Sequence, residues 1–557
     1  MRRATTLEDC VLGDVLRARS RTHRTETFLK FHDGEITYGE VDMMADRVAQ
    51  GLIEYGVRRG EHVAVMLPNG PEILYAIFAL ARLGAVAVPV NTAHRGELLR
   101  HVLANSDSRI LIIDGAYAGR LAPLANRLPG LRRIVVHDSG ETDGTPVLPG
   151  KPVVGWSELL SHGADPPLID VAFYDMQAIM YTSGTTGPSK GAMCSHALGL
   201  TCAYDSLDYM DRWGKTIYCP LPLFHAAGLW DGMMSALLSG GSIAIVDKFH
   251  ASTFWDDVRR FDAAVAVSVF SMIPILLSQE PKPDDRDHPL EMFYMGKSSL
   301  DELLRKRFGV RSVETYTSTE AGIATGSPYG EWRTGSCGIA NHERFDVAVV
   351  DPRDRSVGNG EPGELVLRPR QPFVITTGYY GAPDATVECF RNMWFHTGDR
   401  VWQDGDGYFY FLDRMKDSIR RRGENISAFD LECEVNLHPA VLECAAIGVP
   451  SELEEEDVKL AVVRRPGSRL DEEELIEFCQ EKLPRFMVPR YLEFVDELPR
   501  TPTDKIAKYR LRAEGDHGIT AGTWDRESAA RNVAAYVARD ISEGKPTAVD
   551  AVDGLCR

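Results

Sequence analysis

The chain has 557 residues, 44% of them apolar and 26% charged, with a formal net charge of −19. That length exceeds what one hydrophobic core spans, so several subdomains are expected, and the composition is ample to bury them. The acidic balance argues against a general nucleic-acid binder, which needs a basic footprint to displace counterions. No run of about 18 apolar residues offers a membrane span. Ten cysteines are scattered without a Cys-x-x-Cys pair or a Cys/His ligand spacing. With no apolar signal-peptide core behind Met1-Arg2-Arg3, the expectation is reduced, mostly buried thiols in a soluble cytoplasmic protein.

Along the chain, Thr37-Tyr38-Gly39-Glu40 reads as a capping box opening an amphipathic helix with Val41, Met44, Val48 and Leu52 on one face, closed by Gly56. The apolar run His62 to Leu67 predicts a strand, Pro71 to Leu83 a helix, and Ala85 to Val90 another strand. Ile110 to Ile113, Ile134 to Val136, Ile243 to Val246 and Val265 to Val269 repeat the pattern, apolar throughout as strands covered on both faces would be. The fold class expected is α/β, with mainly parallel sheets. After about Val347, short strands broken by Gly and Pro, such as Gly363 to Arg368 and Gly407 to Leu412, predict a smaller β subdomain.

From about Lys416 a compact α+β unit is expected, with helices near Ala428 to Leu437 and Asp471 to Lys482 and strands near Cys444 to Val449 and Lys459 to Arg464. The domain reading is therefore 1–415, 416–525 and a tail over 526–557. That tail is rich in Ala, Ser and Asp, with a weak helical face at Val533 and Val537, and it carries no functional signal.

The densest chemistry lies at Tyr181-Thr182-Ser183-Gly184-Thr185-Thr186-Gly187-Pro188-Ser189-Lys190-Gly191, directly after the apolar run Ala178 to Met180. Glycines let backbone N–H groups turn toward an anion, the hydroxyls add donors, and Lys190 adds a point charge. The stretch is a phosphate grip but not a Walker A loop: Ser189 precedes the lysine and Gly191 follows it, where that motif needs Gly and then Ser or Thr. A basic cluster at Arg414, Lys416, Arg420, Arg421 and Arg422 suggests a second place for phosphates, although charge runs are more often solvated faces.

Read together with Tyr316-Thr317-Ser318-Thr319-Glu320, Trp394-Phe395-His396-Thr397-Gly398-Asp399, Asp413-Arg414-Met415-Lys416-Asp417 and Pro499-Arg500-Thr501-Pro502-Thr503-Asp504-Lys505, the grip resembles that of the adenylate-forming superfamily of acyl-CoA synthetases, peptide-synthetase adenylation domains and beetle luciferases. The similarity runs from about Thr37 to about Arg512. The phrases Arg422 to Ser427, Phe478 to Leu483 and Phe486 to Tyr491 are similar to the branch containing crotonobetaine/carnitine-CoA ligase.

The resemblance implies a large N-terminal domain and a small mobile C-terminal domain, with ATP, Mg²⁺ and CoA as reactants. By it, Thr182, Ser183, Gly184, Thr185, Thr186, Gly187 and Lys190 would hold the outer phosphates. Glu320 would hold Mg²⁺, Tyr316 would stack on adenine, Thr319 would lie near the α-phosphate, Asp399 would bind the ribose diol and Arg414 would sit beside it. Lys505 would be the catalytic lysine and Lys416 the hinge, with Arg420 near phosphate and Gly423 along the pantetheine path. His225 would stand at the mouth of the acyl pocket, with a buried structural histidine as the equal alternative, and Ala226, Ala227, Gly228 and Val269 to Met272 would form more of its wall.

The chain departs from the family pattern at Thr317 and Asp504, both usually Gly, and at Gly296-Lys297-Ser298-Ser299-Leu300, which replaces a Gly-Gly-Ala-Pro-Leu-like segment along the nucleotide and acyl pocket. Lys297 would put a cation near the substrate, which hints at an acid with extra polar or anionic character. The expected activity is ATP-dependent acid:CoA ligation, with a small-molecule acid as partner and room for a homodimer. The alternatives are transfer of the adenylate to a carrier protein or amine, activation of a small oxyanion such as nitrite, and a catalytically idle nucleotide-binding regulator.

Overall fold

The computed structural model describes residues 6–137, 150–182, 188–270, 272–327, 329–414, 418–452, 455–500 and 506–528. They divide into two compact units, one over the described residues up to 414 and the other over those from 418 on. The larger unit is built on two seven-stranded sheets, each parallel except for one edge pair. In the first sheet the spatial order is Val153–Gly155, Arg133–His137, Ile110–Asp114, His62–Met66, Val86–Pro89, Met176–Thr182 and Lys190–Ser195. In the second it is Arg311–Val313, Met292–Tyr294, Ala263–Val267, Thr216–Cys219, Ile243–Ile245, Thr27–Phe31 and Gly34–Thr37.

The apolar runs form these strands because both faces are covered: Val63, Val65, Ile112, Ile217, Ile243 and Val265 are all 1% exposed or less. The helix Tyr38–Glu54 begins where its capping box predicts. Thr37 Oγ1 accepts from Glu40 N at 3.2 Å, and Glu40 Oε2 accepts from Thr37 N at 2.8 Å. The chain leaves it through Gly56 at φ +92°, a conformation that favours glycine.

A four-stranded antiparallel sheet follows, in the order Phe345–Val350, Gly363–Pro369, Phe395–Gln403 and Phe409–Arg414, and matches the expected β subdomain. The smaller unit carries the hairpin Ser418–Arg421/Glu424–Ser427, then the sheet Val441–Pro450, Glu456–Arg464, Tyr491–Phe494, Trp524–Asp525, with helices Ala428–Val435, Glu472–Lys482 and Lys508–Ala513. Its last strand was not foreseen in the sequence. It is only two residues long, and Arg490 holds it at the sheet edge, its Nε 3.3 Å from Asp525 Oδ1.

Cys10, Cys194, Cys202, Cys219, Cys337, Cys389 and Cys479 are free thiols, all buried but the half-buried Cys389. Among the described residues no helix is long and apolar enough to cross a membrane.

Candidate active site

Asp399 is presented by a turn braced against the neighbouring strand. Gly398 takes φ +72°, and its N–H donates to Glu364 Oε1 at 3.0 Å. His396 Nδ1 lies 2.9 Å from Glu364 Oε2, and Arg391 Nη2 donates to that same oxygen at 3.0 Å. Thr397 Oγ1 donates to Leu365 O at 2.7 Å and accepts from Asp399 N at 3.1 Å. The adjacent strand, through Glu364 and Leu365, thus fixes His396-Thr397-Gly398-Asp399 where the pairing register shifts between Glu364 and Val366. Asp399, 3% exposed, accepts from the Tyr316 hydroxyl at 2.5 Å. Arg414 ends the neighbouring strand directly opposite Asp399 in register.

Tyr316 and Glu320 belong to one stretch of chain, the strand Thr315–Ser318 and the turn after it. Tyr316 reaches Asp399, while Glu320 Oε1 accepts from Thr182 Oγ1 at 3.1 Å and from the Tyr379 hydroxyl at 3.0 Å. Thr317, Ser318, Thr319 and Glu320 are half-buried. Lys190 Nζ stands 5.3 Å from the Tyr379 ring centroid, a cation–π distance worth roughly 0.5–1 kcal/mol. Burial pushes the Cys389 thiol up to about 12, and the charges of Glu320, which adds to that shift, and Lys190, which opposes it, are both felt there.

Thr182 and Lys190 are register partners across the antiparallel pair Met176–Thr182/Lys190–Ser195, so the pair clamps both ends of the Gly/Thr/Ser stretch. The His101 ring N–H at Nε2 donates to Ser189 O at 2.8 Å and anchors one side of that stem. Ser183, Gly184, Thr185, Thr186 and Gly187 lie outside the described residues, as do Lys416 and Lys505.

Tyr379 gave no sequence signal that was recognised. It arrives because 376–380 adds itself to the edge of Lys190–Ser195, through an Ala192↔Tyr379 bridge and bonds from Met193 N to Gly378 O at 2.9 Å and Tyr380 N to Gly191 O at 2.8 Å. Gly378, at φ +125° and with Thr386 Cγ2 2.5 Å from where a Cβ would stand, allows the approach. The signal available was Thr376-Thr377-Gly378-Tyr379-Tyr380, a hydroxyl-rich group around a glycine.

His225 is half-buried on the loop after Thr216–Cys219, just before a π-helical turn, Ala227–Met234. Such turns are rare and frequently sit at functional sites. Gly228 is packed so that a Cβ would come 2.3 Å from Pro222 O. Asn69, also missed in the sequence because Pro68-Asn69-Gly70 reads as an ordinary turn, stitches this loop down. Its Nδ2 donates to Leu221 O and Val246 O, each at 3.0 Å, and its Oδ1 accepts from Leu223 N at 2.9 Å.

Gly296 is buried with no room for a side chain, Lys297 is half-buried, and Ser298 gives both its N–H and its hydroxyl to Glu314 Oε2 at 2.6 Å.

In the smaller unit, Gly423, at φ +83°, turns the hairpin and donates its N–H to Glu455 Oε2 at 3.0 Å. Arg420 N donates to Glu456 Oε2 at 2.8 Å. The basic run around them is corrected at Arg421. That guanidinium is 3% exposed and bonded to Asp457 Oδ1 at 2.7 Å and to Phe486 O and Val488 O, so it is a structural buried pair and no phosphate ligand.

Among the described residues no group of three or more His, Cys, Asp and Glu could cage a metal. Glu320 with the Thr182 hydroxyl offers hard oxygen donors of the kind that hold Mg²⁺ jointly with a substrate's phosphates.

Comparison with known proteins matches two family models in chain order, AMP-binding enzyme over residues 16–380 and AMP-binding enzyme C-terminal domain over 430–505. The chain is 31% identical over 494 residues to a crotonobetaine/carnitine–CoA ligase of Salmonella arizonae, covering 86% of this chain and 93% of the relative. It shares its fold with an o-succinylbenzoate CoA synthetase double mutant of Bacillus subtilis, at TM-score 0.76 and 22% identity over 90% of this chain and 98% of that one. It shares it also with an amide bond synthetase of Marinactinospora thermotolerans, at TM-score 0.75 and 23% identity over 90% and 99%. The chain belongs to the AMP-binding, adenylate-forming enzyme family.

Proposed function

We propose that the protein is an ATP-dependent acid:CoA ligase. The observation that carries this reading is the single stretch Tyr316 to Glu320, which touches Asp399 at one end and the Thr182/Tyr379/Lys190 group at the other. Its span is at most roughly 13 Å at the rise of an extended chain, the length scale of a nucleoside triphosphate. One carboxylate at the sugar end and one at the phosphate end, with a lysine beside the second, suit ATP in an orientation that leaves Thr317 and Thr319 nearest the α-phosphorus.

A carboxylate is inert to thiols because oxide is a poor leaving group, and adenylation supplies a better one. A carboxylate oxygen of the acid forms a bond to the α-phosphorus while the bond to the bridging oxygen breaks, and pyrophosphate leaves with that electron pair. A thiolate then attacks the acyl carbon to form the C–S bond, the bond from that carbon to the phosphate oxygen breaks, and AMP departs with its electron pair while the carbonyl is retained in the thioester. No protein nucleophile takes part, so the chain's task is positioning and charge stabilisation.

In this reading Asp399, held by Tyr316, accepts the ribose hydroxyls, and Arg414 lies beside them. Thr182 to Gly187 and Lys190 bind the outer phosphates. Thr319 donates near the α-phosphate, His225 borders the acid, and Lys505 bridges the acid and the α-phosphate as charge builds. Mg²⁺, held by Glu320, would neutralise phosphate charge. Lys416 serves as the hinge that withdraws Lys505 after adenylation and brings Arg420 and Gly423 to the CoA path. The nearest support for CoA as acceptor is the 31% identity to a crotonobetaine/carnitine–CoA ligase over 86% of the chain.

The test is pyrophosphate and AMP release over a panel of acids, with and without CoA. CoA-dependent AMP formation supports the reading. Adenylate consumed without CoA points to another acceptor, and no release with any acid removes it.

A further inference from the structure

Four adjacent parallel strands of the second sheet, Thr216–Cys219, Ala263–Val267, Met292–Tyr294 and Arg311–Val313, send their carboxyl ends toward one side of the sheet. The segments that leave them carry His225, Phe270, Lys297 and Tyr316 in that order. In open α/β sheets this edge is where ligands sit. Most of what it offers an acid is apolar: Ala226, Ala227, Val269 and Phe270 are half-buried there. Lys297 is a cation in that company, its Nζ 5.5 Å from the centroid of the Phe270 ring.

The backbone around Lys297 is shaped with unusual care. Met295 adopts φ +63°, a left-handed conformation outside glycine's province that is strained and tends to persist at functional sites. Gly296 is wedged so closely that a Cβ would come 2.3 Å from Ser312 Oγ and 2.7 Å from Ile273 Cδ1. On the other side Ser298 is pinned twice to Glu314 at 2.6 Å. Lys297 is thus held between a strained residue, a glycine without space and an anchored serine, whereas a solvent lysine needs none of this.

An ammonium half-buried beside apolar walls is disfavoured against a hydrocarbon substrate and favoured against an anion. Its Nζ over the Phe270 ring adds a modest cation–π contribution of its own. The molecule as a whole carries a charge of −19, so a local cation at this edge favours the approach of a substrate bearing a second negative charge.

We infer that Lys297 is a specificity-determining residue that receives a second carboxylate of the acid, making the substrate class dicarboxylic acids. One carboxylate is adenylated; the other pairs with Lys297 and fixes which end of the molecule faces ATP. The inference rests on the adenylation reading above.

The experiment is acid-dependent ATP–pyrophosphate exchange with matched mono- and dicarboxylic acids of equal chain length, butyrate against succinate, hexanoate against adipate and benzoate against phthalate. It is run on the full-length protein and on Lys297→Met and Lys297→Arg. The wild type should favour the diacid of at least one pair by about tenfold or more in kcat/KM. Lys297→Met should erase that preference through KM for the diacid, with KM for ATP unmoved, and Lys297→Arg should retain it. A wild type that favours the monoacid in every pair, or a preference that Lys297→Met leaves unchanged, overturns the assignment while leaving adenylation intact. Exchange with no acid of either kind removes both.

Discussion

The Tyr316 hydroxyl donates to Asp399 Oδ2 at 2.5 Å across 83 residues of sequence, so the aromatic of one motif is the clamp for the carboxylate of another. Both side chains are nearly out of solvent, at 7% and 3% exposure. A hydrogen bond to a buried charge contributes about 1.5–3 kcal/mol. Tyr316→Phe keeps the ring but leaves the carboxylate without this donor. Steady-state kinetics should show KM for ATP raised about tenfold with kcat changed far less. An unchanged KM would mean that Asp399 does not bind the nucleotide.

Glu364 makes the same point one step further from the ligand. It accepts from the Gly398 N–H and from His396 and Arg391 at 2.9–3.0 Å, so the turn that aims Asp399 is built on its two oxygens. Glu364→Gln keeps the shape but replaces one acceptor by a donor facing donors. The expected outcome is a loss of about 1–3 kcal/mol in urea unfolding together with a higher KM for ATP. A stability loss with unaltered ATP binding would confine Glu364 to the fold.

These relationships mark what the sequence could and could not disclose. Asp399, Glu320 and Lys190 stand out as candidates because they sit in short, ordered motifs, and the strands and the Thr37 capping box were legible because their periodicity and caps are local. Tyr379 was not legible, since it reaches Glu320 only through an edge strand added by 376–380. Arg421 misled, because a charge run gives no sign that Asp457, thirty-six residues on, will bury one of its members. Asn69 and Glu364 likewise act through carbonyls and turns that have no sequence signature.

Asp231, on the π-helical turn, is 2% exposed and accepts from Ser206 Oγ at 2.6 Å and, more weakly, from Cys202 Sγ at 3.7 Å. Burial raises its carboxyl to about 7, with those two hydrogen bonds opposing the shift. A carboxyl raised in the folded state binds its proton more tightly than the unfolded chain does. Its contribution is fully present below the unfolded value near 3.8 and is lost as pH climbs through about 7. Asp231→Asn mimics the neutral acid and cannot ionise. Relative to wild type, its unfolding free energy should therefore rise between pH 4 and 7, at about 1 kcal/mol per pH unit. Urea titrations across that range check the slope, and a difference that does not vary with pH would contradict it.

Lys505→Ala separates the two half-reactions. Adenylation should fall by about a thousandfold or more, whereas thioester formation from supplied acyl-adenylate and CoA should stay within a few-fold of wild type. Equal loss of both would argue that a single arrangement of the C-terminal unit serves the whole reaction.

The most direct measurement is the fate of ATP when the protein turns over an acid in the presence of Mg²⁺ and CoA. Phosphorus NMR or chromatography should find AMP and pyrophosphate in equal amounts, both lost in Glu320→Ala and Asp399→Ala. Accumulation of ADP and orthophosphate would contradict cleavage at the innermost phosphorus and, with it, the assignment of every residue from Thr182 to Asp399.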